Sequence, residues 1–374
     1  MIKRSIMNQI LARMNNKKII IIMGPRQVGK TTLAREIERE LNVKSLWLNG
    51  DEPDTRNQLT NVTSTQLKSL IGNNKVVFID EAQRITNIGL TLKLIADNLS
   101  DIQVIATGSS SFELSNEIKE PLTGRKIEYF LFPLSLSELC DHSSQIEETR
   151  LLEYRMIYGY YPEIVTNPGE ENLMLNEISE SYLYKDVLAT GKIKKPAALE
   201  RLLQAIALQL GKEVSFNELG QLIGVDNQTV ERWVDILEKS YVIFRLRSFC
   251  RNVRNELKKS RKIYFYDNGI RNAIIKNFNP LALRQDVGEL WENFLISERM
   301  KYNQRHEKLT NNFFWKSNTQ KEIDFIEEYG GNIFAYEFKW NPNKTIKFPS
   351  SFIRSYPEAK TEIINRTNFT DFIL

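Results

Sequence analysis

"MGPRQVGKTTL", residues 23–33, is the stretch on which the fold turns. An apolar run, "KIIII" (18–22), leads into it, and an amphipathic run, "TTLAREIEREL" (31–41), leaves it. Gly24 to Thr31 fit G-x-x-x-x-G-K-[ST] in full, between a buried-type strand and a helix. Glycines let the backbone curl so that several N–H groups point at one anion, and the helix start adds its positive dipole. The reading is a phosphate cradle for ATP made by Gly24, Pro25, Arg26, Gln27, Val28, Gly29, Lys30, Thr31 and Thr32. Lys30 is placed to reach the β- and γ-phosphates, and the Thr31 hydroxyl to take a Mg²⁺ ion.

A second stretch, "NNKVVFIDEAQRI" (73–85), is a short apolar strand ending in Asp80-Glu81. A carboxylate at the tip of a neighbouring parallel strand is where such folds hold Mg²⁺, which assigns the metal side to Asp80. Glu81 is placed to orient or deprotonate a water, which implies hydrolysis as well as binding. Strands are also expected in "KSLWLNGD" (44–51), "IQVIATGSS" (102–110) and "KIEYFLF" (126–132), with helices between. The alternation predicts a parallel three-layer α/β domain. At the end of the 102–110 strand, Thr107, Ser109 or Ser110 is a candidate partner for the γ-phosphate or the attacking water.

The chain has 374 residues, 41% hydrophobic and 26% charged, with a net charge of +4. Length predicts more than one domain, and composition a globular protein. Cys140 and Cys250 lie far apart, and His142 and His306 complete the short supply of soft ligands, which argues against a disulfide framework, a Cys/His metal site and a histidine-based triad. No apolar run is long enough to span a bilayer. The segment "MIKRSIMNQILARMNNKK" (1–18) reads as an amphipathic lead-in helix, and a cytoplasmic, non-membrane protein is expected.

Taken in order, "GPRQVGKTTL", "VVFIDEAQRI", "IATGSSSFEL" and "PLTGRKIEYFLFPLSLSEL", followed by "YGYYPEIV" and "YLYKDVL", resemble a prokaryotic group of AAA+ ATPases over nearly the whole chain. The resemblance implies that the "TGSS" strand end acts as sensor 1, with Ser109 as its candidate. It implies also that Arg125 in "TGR" stands where such families place an arginine finger, supplied to a neighbouring subunit of a homo-oligomer. A plain surface salt bridge is the competing reading of Arg125. No sensor-2 arginine is identified. The group usually shows two adjacent glycines before the proline where this chain has Gly159-Tyr160-Tyr161-Pro162, which questions a tight turn there.

The expected organisation is a P-loop AAA+ core over 1–140, a small helical lid over 141–195, a winged helix over 196–262 and an α/β domain over 263–374. Within 198–247, Ser215 and Asp226 or Asn227 are helix caps; Val230, Val234 and Leu237 form the inner face of the second helix, and Gln228, Thr229, Glu231 and Arg232 its outer face. The stretch 245–262 carries Arg245, Arg247, Arg251, Arg254, Lys258, Lys259, Arg261 and Lys262 against Glu256 alone. A helix beside a basic wing suits DNA phosphates. The alternative is an internal spacer whose basic residues face solvent or a neighbouring domain.

Near the C-terminus, "EIDFIEE" (322–328), "YGGN" and "IFAYEFK" (333–339) read as a hairpin. Glu337 and Lys339, two apart, share a face, with Asp324 across from them. Two such carboxylates can hold Mg²⁺ and the lysine can position a water. The pattern resembles the D…ExK core of restriction-endonuclease-like folds, which implies Glu292, rather than Glu289, as the further acidic member. A structural charge cluster without cutting chemistry is the competing reading. Asp267 in "YFYDNG" is expected to be a turn or interdomain contact. The functional expectation is a Mg²⁺-dependent ATPase coupling nucleotide state to DNA or a protein partner. The alternatives are a slow-turnover switch with a non-catalytic C-terminal region and an ATP-regulated nuclease.

Overall fold

The computed structural model describes residues 1–14, 16–109, 121–181, 195–249, 261–317, 319–344 and 346–374. The chain forms two compact units, one of residues 1–133 with 239–241, the other of 134–238 with 242–374. Ser110 and much of the "IATGSSSFEL" and "YLYKDVL" stretches lie outside the described residues.

The first unit runs α1 (Ile6–Ala12), β1 (Ile19–Met23), α2 (Lys30–Leu41), β2 (Ser45–Asn49), α3 (Pro53–Leu59), α4 (Ser64–Ile71), β3 (Val76–Asp80), α5 (Ile88–Asn98), β4 (Gln103–Gly108) and β5 (Lys126–Phe130). All five strands expected in this region form one parallel sheet, ordered β2-β3-β4-β1-β5. The four isoleucines of β1 are at most 2% exposed, because helices cover both faces and leave no polar alternation to read. Each such side chain contributes about 1.5–3 kcal/mol on burial. Strand β4 sits between β1 and β3 although it follows both in the chain. Its tip therefore stands between the loop after β1 and the acidic end of β3.

The second unit carries α6 (Leu136–His142), α7 (Gln145–Arg150), α8 (Leu152–Tyr158), α9 (Pro162–Thr166), α10 (Glu171–Ser181), α11 (Pro196–Leu208), β6 (Glu213–Val214), α12 (Phe216–Ile223), α13 (Asn227–Lys239) and β7 (Ile243–Ser248). It continues with β8 (Arg261–Phe265), α14 (Asn268–Ile274), α15 (Val287–Arg305), β9 (Asn311–Lys316), β10 (Glu322–Tyr329), β11 (Asn332–Lys339), α16 (Ser350–Ser355), β12 (Lys360–Asn365) and α17 (Phe369–Ile373). One seven-stranded mixed sheet, β12-β11-β10-β9-β7-β8-β6, runs through it. The predicted hairpin is β10–β11; Gly330 (φ +58°) and Gly331 (φ +78°) supply the left-handed pair that a tight two-residue turn requires.

Two expected boundaries fall differently. The break at 262/263 lies inside β8, which pairs antiparallel with both β6 and β7, and β7 in turn pairs parallel with β9. The chain from Leu134 on, which takes in the end of the expected core and the region expected as a lid, groups with the C-terminal unit, and the reason is electrostatic. The buried Glu298 accepts the Leu136 N–H at 2.7 Å, and Lys301 donates to the Leu134 carbonyl at 2.8 Å. Asn272 donates to the Ile157 carbonyl at 2.8 Å. Buried polar groups of α14 and α15 find their partners in 134–160, so separating the two would strand them.

Asp267 belongs to the same scheme. It caps α14 by accepting the Ile270 N–H and takes the Tyr160 N–H at 2.7 Å, as a turn contact and not a catalytic group. Gly159 (φ +75°) makes this approach: a Cβ there would lie 2.0 Å from Asp267 Oδ1. The Gly159-Tyr160-Tyr161-Pro162 sequence therefore needs its single glycine for a close approach to Asp267, and no turn is formed over 159–161. Gly159→Ala is expected to destabilise the C-terminal unit by about 2 kcal/mol or more; thermal unfolding of the purified variant is the measurement.

Candidate functional site

The loop from Gly24 to Gly29 joins β1 to α2, and its sequence is dictated by how closely the chain folds on itself. A Cβ on Gly24 would meet the Leu131 carbonyl oxygen at 2.2 Å, because Leu131 N–H bonds Met23 O at 2.7 Å as β5 passes alongside. Gln27 (φ +58°) and Gly29 (φ +91°) take left-handed conformations that complete the curl. Lys30 opens the helix, is 6% exposed, and lays its ammonium on the Gly24 and Pro25 carbonyls at 3.0 and 2.5 Å. Its charge thus crosses the mouth of the loop where phosphate is expected.

Asp80 ends β3 and joins three elements. Its Oδ2 accepts the Thr31 hydroxyl at 2.8 Å, and its Oδ1 accepts the Thr107 hydroxyl from the tip of β4. The Thr107 oxygen in turn accepts the Glu81 N–H at 3.2 Å. Thr107, expected as one of three hydroxyls facing phosphate or water, instead ties down the Asp80-Glu81 pair. A hydroxyl and a carboxylate within one hydrogen bond form a hard oxygen set, which fits Mg²⁺.

Glu81 has φ +49°, uncommon for a residue with a side chain, and its carbonyl lies where Gly50 alone leaves room, 2.3 Å from a notional Cβ. The turn aims its carboxylate at Gln83, whose Nε2 donates to Glu81 Oε2 and, at 2.9 Å, to Ser109 Oγ. Gln83, unremarked in the sequence, joins the expected water-activating group to the expected sensor. Its Oε1 is a buried atom with no hydrogen-bond partner among the described residues.

Arg4 is the other residue that sequence reasoning passed over. Just before α1, buried to 6% exposure, it donates to Val28 O at 2.8 Å and Phe132 O at 2.6 Å. It clamps the loop to the end of β5 from a position 24 residues upstream of Val28. An arginine just ahead of an otherwise ordinary lead-in helix was the one signal available.

Lys30, Thr31, Asp80, Glu81 and Ser109 thus converge at the C-terminal edge of the first sheet. Arg125 does not. Its carbonyl accepts the Ile19 N–H at the opposite edge, and four strand steps to Met23 span about 13 Å. Its guanidinium pairs with Asp97 at 2.6 Å, both partly exposed.

A second cluster forms in the C-terminal unit. Lys339 Nζ lies 3.3 Å from Asp324 and 2.8 Å from Glu337, and the Phe338 N–H donates to Asp324 at 2.8 Å. Glu292 on α15 accepts from Tyr264 at 2.5 Å and Lys262 at 3.5 Å. Burial, with Asp324 nearby, pushes the Glu292 and Glu337 carboxyls up to about 7 against the pull of Lys262 and Lys339 respectively. Burial works to lower the Lys262 ammonium, but Glu292, Asp324 and Glu322 outweigh it and hold it above the ordinary lysine value.

The basic stretch reads differently in three dimensions. Arg245 pairs with Glu238 and Asp235, Arg261 lies over the Phe216 ring at 4.3 Å, and Lys262 points inward; Arg247 is exposed. Lys262 turns its side chain to a covered face of the sheet, 2% exposed, toward Glu292 and Glu322. Arg251, Arg254, Lys258 and Lys259 lie outside the described residues. On α13, Val230, Val234 and Leu237 are buried as expected, Gln228, Glu231 and Arg232 are exposed, and Thr229 is half-buried with its hydroxyl on Asp226.

Residues 16–140 match a family model described as "AAA domain". Over that stretch the chain is similar to AAA-type P-loop domains, and the similarity supports ATP binding there. Residues 149–281 and 287–371 match models described as domains of unknown function, DUF8612 and DUF4143. An uncharacterized protein of Mycobacterium tuberculosis is 25% identical, covering 86% of this chain and 70% of its own. One from Methanocaldococcus jannaschii is 26% identical, covering 91% and 78%. Among solved structures, the Thermotoga maritima RuvB Holliday junction branch migration motor is similar at 19% identity and a TM-score of 0.35, over 69% of this chain and 95% of that one. No helix among the described residues is long and apolar enough to cross a membrane.

Arg4→Met removes two charge-assisted bonds to buried carbonyls. It is expected to destabilise the N-terminal unit by about 1.5–3 kcal/mol and to weaken ATP binding; urea denaturation and a nucleotide titration on the same preparation test both.

Proposed function

We propose that this protein is a Mg²⁺-dependent ATPase whose nucleotide state governs the handling of DNA or a protein partner by the rest of the chain. The observation that carries the reading is the 2.8 Å bond from Thr31 to Asp80, which brings the start of the loop helix onto the acidic strand tip. In this reading the loop N–H groups and Lys30 hold the triphosphate, and Thr31 and Asp80 hold magnesium. The metal, when bound, supplies charge neutralisation at the γ-phosphoryl group. Glu81 takes the proton of the attacking water once its carboxylate leaves Gln83, and Ser109 helps place that water.

Arg125 acts in this scheme from a second copy of the chain, since its own edge of the sheet faces away from its own loop. Arg125→Ala should then slow hydrolysis more than it weakens ATP binding, while Asp97→Ala leaves hydrolysis intact. Equal losses in binding and turnover, or the same loss in both variants, would reduce Arg125 to a surface ion pair.

Lys30→Ala is expected to abolish ATP binding and turnover while leaving the circular dichroism spectrum unchanged; unaltered turnover would refute the assignment. Glu81→Gln should retain ATP binding and lose on the order of a hundredfold in turnover, the usual scale for a general base.

A slow-turnover switch has one observation of its own in its favour: the Glu81 carboxylate is engaged by Gln83. Slow basal turnover that a partner accelerates would distinguish it. The DNA reading draws on the exposed face of α13 and on Arg247, and salt-dependent DNA binding by the full chain tests it. An ATP-regulated nuclease has the meeting of Asp324, Glu337 and Lys339 in its favour; Mg²⁺- or Mn²⁺-dependent strand cleavage lost in Asp324→Ala would establish it.

A further inference from the structure

The acidic cluster of the C-terminal unit is already supplied with cations by the chain itself. Lys262 is 2% exposed at its side chain and lies 3.5 Å from Glu292 and 3.3 Å from Glu322. Lys316 lies 2.9 Å from Glu213 and 3.0 Å from Glu322, and Lys339 bridges Asp324 and Glu337. Each carboxylate that the endonuclease resemblance assigns to a metal therefore has an ammonium within 3.5 Å. Among the described residues no group of three or more acidic, histidine or cysteine side chains is arranged to hold a metal.

Lys339 belongs to the D…ExK pattern and would accompany a metal. Lys262 does not belong to it. It comes from β8, in the region expected as a winged helix, and enters because that strand is part of the same sheet. A divalent ion bound between Glu292 and Asp324 would face this buried ammonium at short range, and like charges in a poorly solvated site repel strongly. Nor can Lys262 readily withdraw. Its ammonium lies over the Phe314 ring, 5.3 Å from the centroid, and leaving Glu292 and Glu322 would strand a charge in the interior.

We propose that Lys262 is the resident cation of this cluster, closing it to divalent metals, so that the C-terminal unit engages its partner without metal-dependent cutting. This inference does not depend on the ATPase reading, because every residue in it lies in the second unit.

Mn²⁺ titration of the full chain without nucleotide, by calorimetry, tests it. Wild-type and Asp324→Asn protein are expected to give the same isotherm, because only binding that Asp324 controls reports on this cluster and any ion at Thr31 and Asp80 is common to both. Lys262→Met keeps the length of the stem and removes the charge; it is expected to gain an Mn²⁺ site about tenfold tighter than anything in the wild type, lost again in Lys262→Met/Asp324→Asn. Mn²⁺ binding in the wild type that Asp324→Asn removes would overturn the proposal, and so would a folded Lys262→Met protein with no new site. Should Lys262→Met fail to fold, the comparison of wild type with Asp324→Asn decides alone.

Discussion

The carboxylate of Asp80 is the constraint on which the N-terminal unit depends. It accepts from Thr31 on one oxygen and Thr107 on the other, so a single side chain ties the loop helix, β3 and β4 together. The tie is possible because β4 is inserted between β1 and β3, placing Thr107 beside a strand end that follows a different crossover. In a sheet running in sequence order, β2 would separate the loop from Asp80, and Thr107 on β4 would lie on the far side of β3 from the loop. Insertion makes room for a residue that senses both. Through Thr107, the Glu81 N–H is fixed as well, and through Gln83 the Glu81 side chain reaches Ser109 on the same strand end. A small displacement of β4 would therefore be felt at both acidic residues.

The parts of this site that the sequence made legible are those whose geometry is local. The loop announces itself because glycines, lysine and threonine must follow one another between a strand and a helix, and nothing outside a dozen residues is needed to interpret them. The β10–β11 hairpin is legible for the same reason, its glycine pair and its spacing of two being properties of neighbouring residues. Arg4, Thr107 and Gln83 were not legible in these roles. Each acts through a partner chosen by strand order or by the path of a distant segment, and an arginine, threonine or glutamine is compatible with many surroundings.

Lys262 and Arg245 show the converse error. A run rich in lysine and arginine reads as a solvated or phosphate-facing stripe, because that is where such side chains usually lie. The reading fails where a strand turns a side chain to a covered face of its sheet. Lys262 on β8 is turned that way and meets Glu292 and Glu322, whereas Arg247 on β7, also flanked on both sides, is exposed. Composition alone supplies the charges; topology decides whether they face outward or each other.

That distinction bears on how two chemistries can share one chain. In the N-terminal unit, the acidic tip is left with hydroxyl partners, which share a carboxylate readily with a hard cation and give way without leaving a charge behind. In the C-terminal unit, the acids hold ammonium groups, which do not give way so cheaply, since a displaced lysine remains charged and buried. Hydroxyls around a carboxylate describe a site made to exchange its ligand, and ammonium groups describe one made to keep its balance. By that criterion the exchangeable site of the proposed function is that of Asp80 and Glu81, while Glu292, Asp324 and Glu337 keep a charge balance within the second unit.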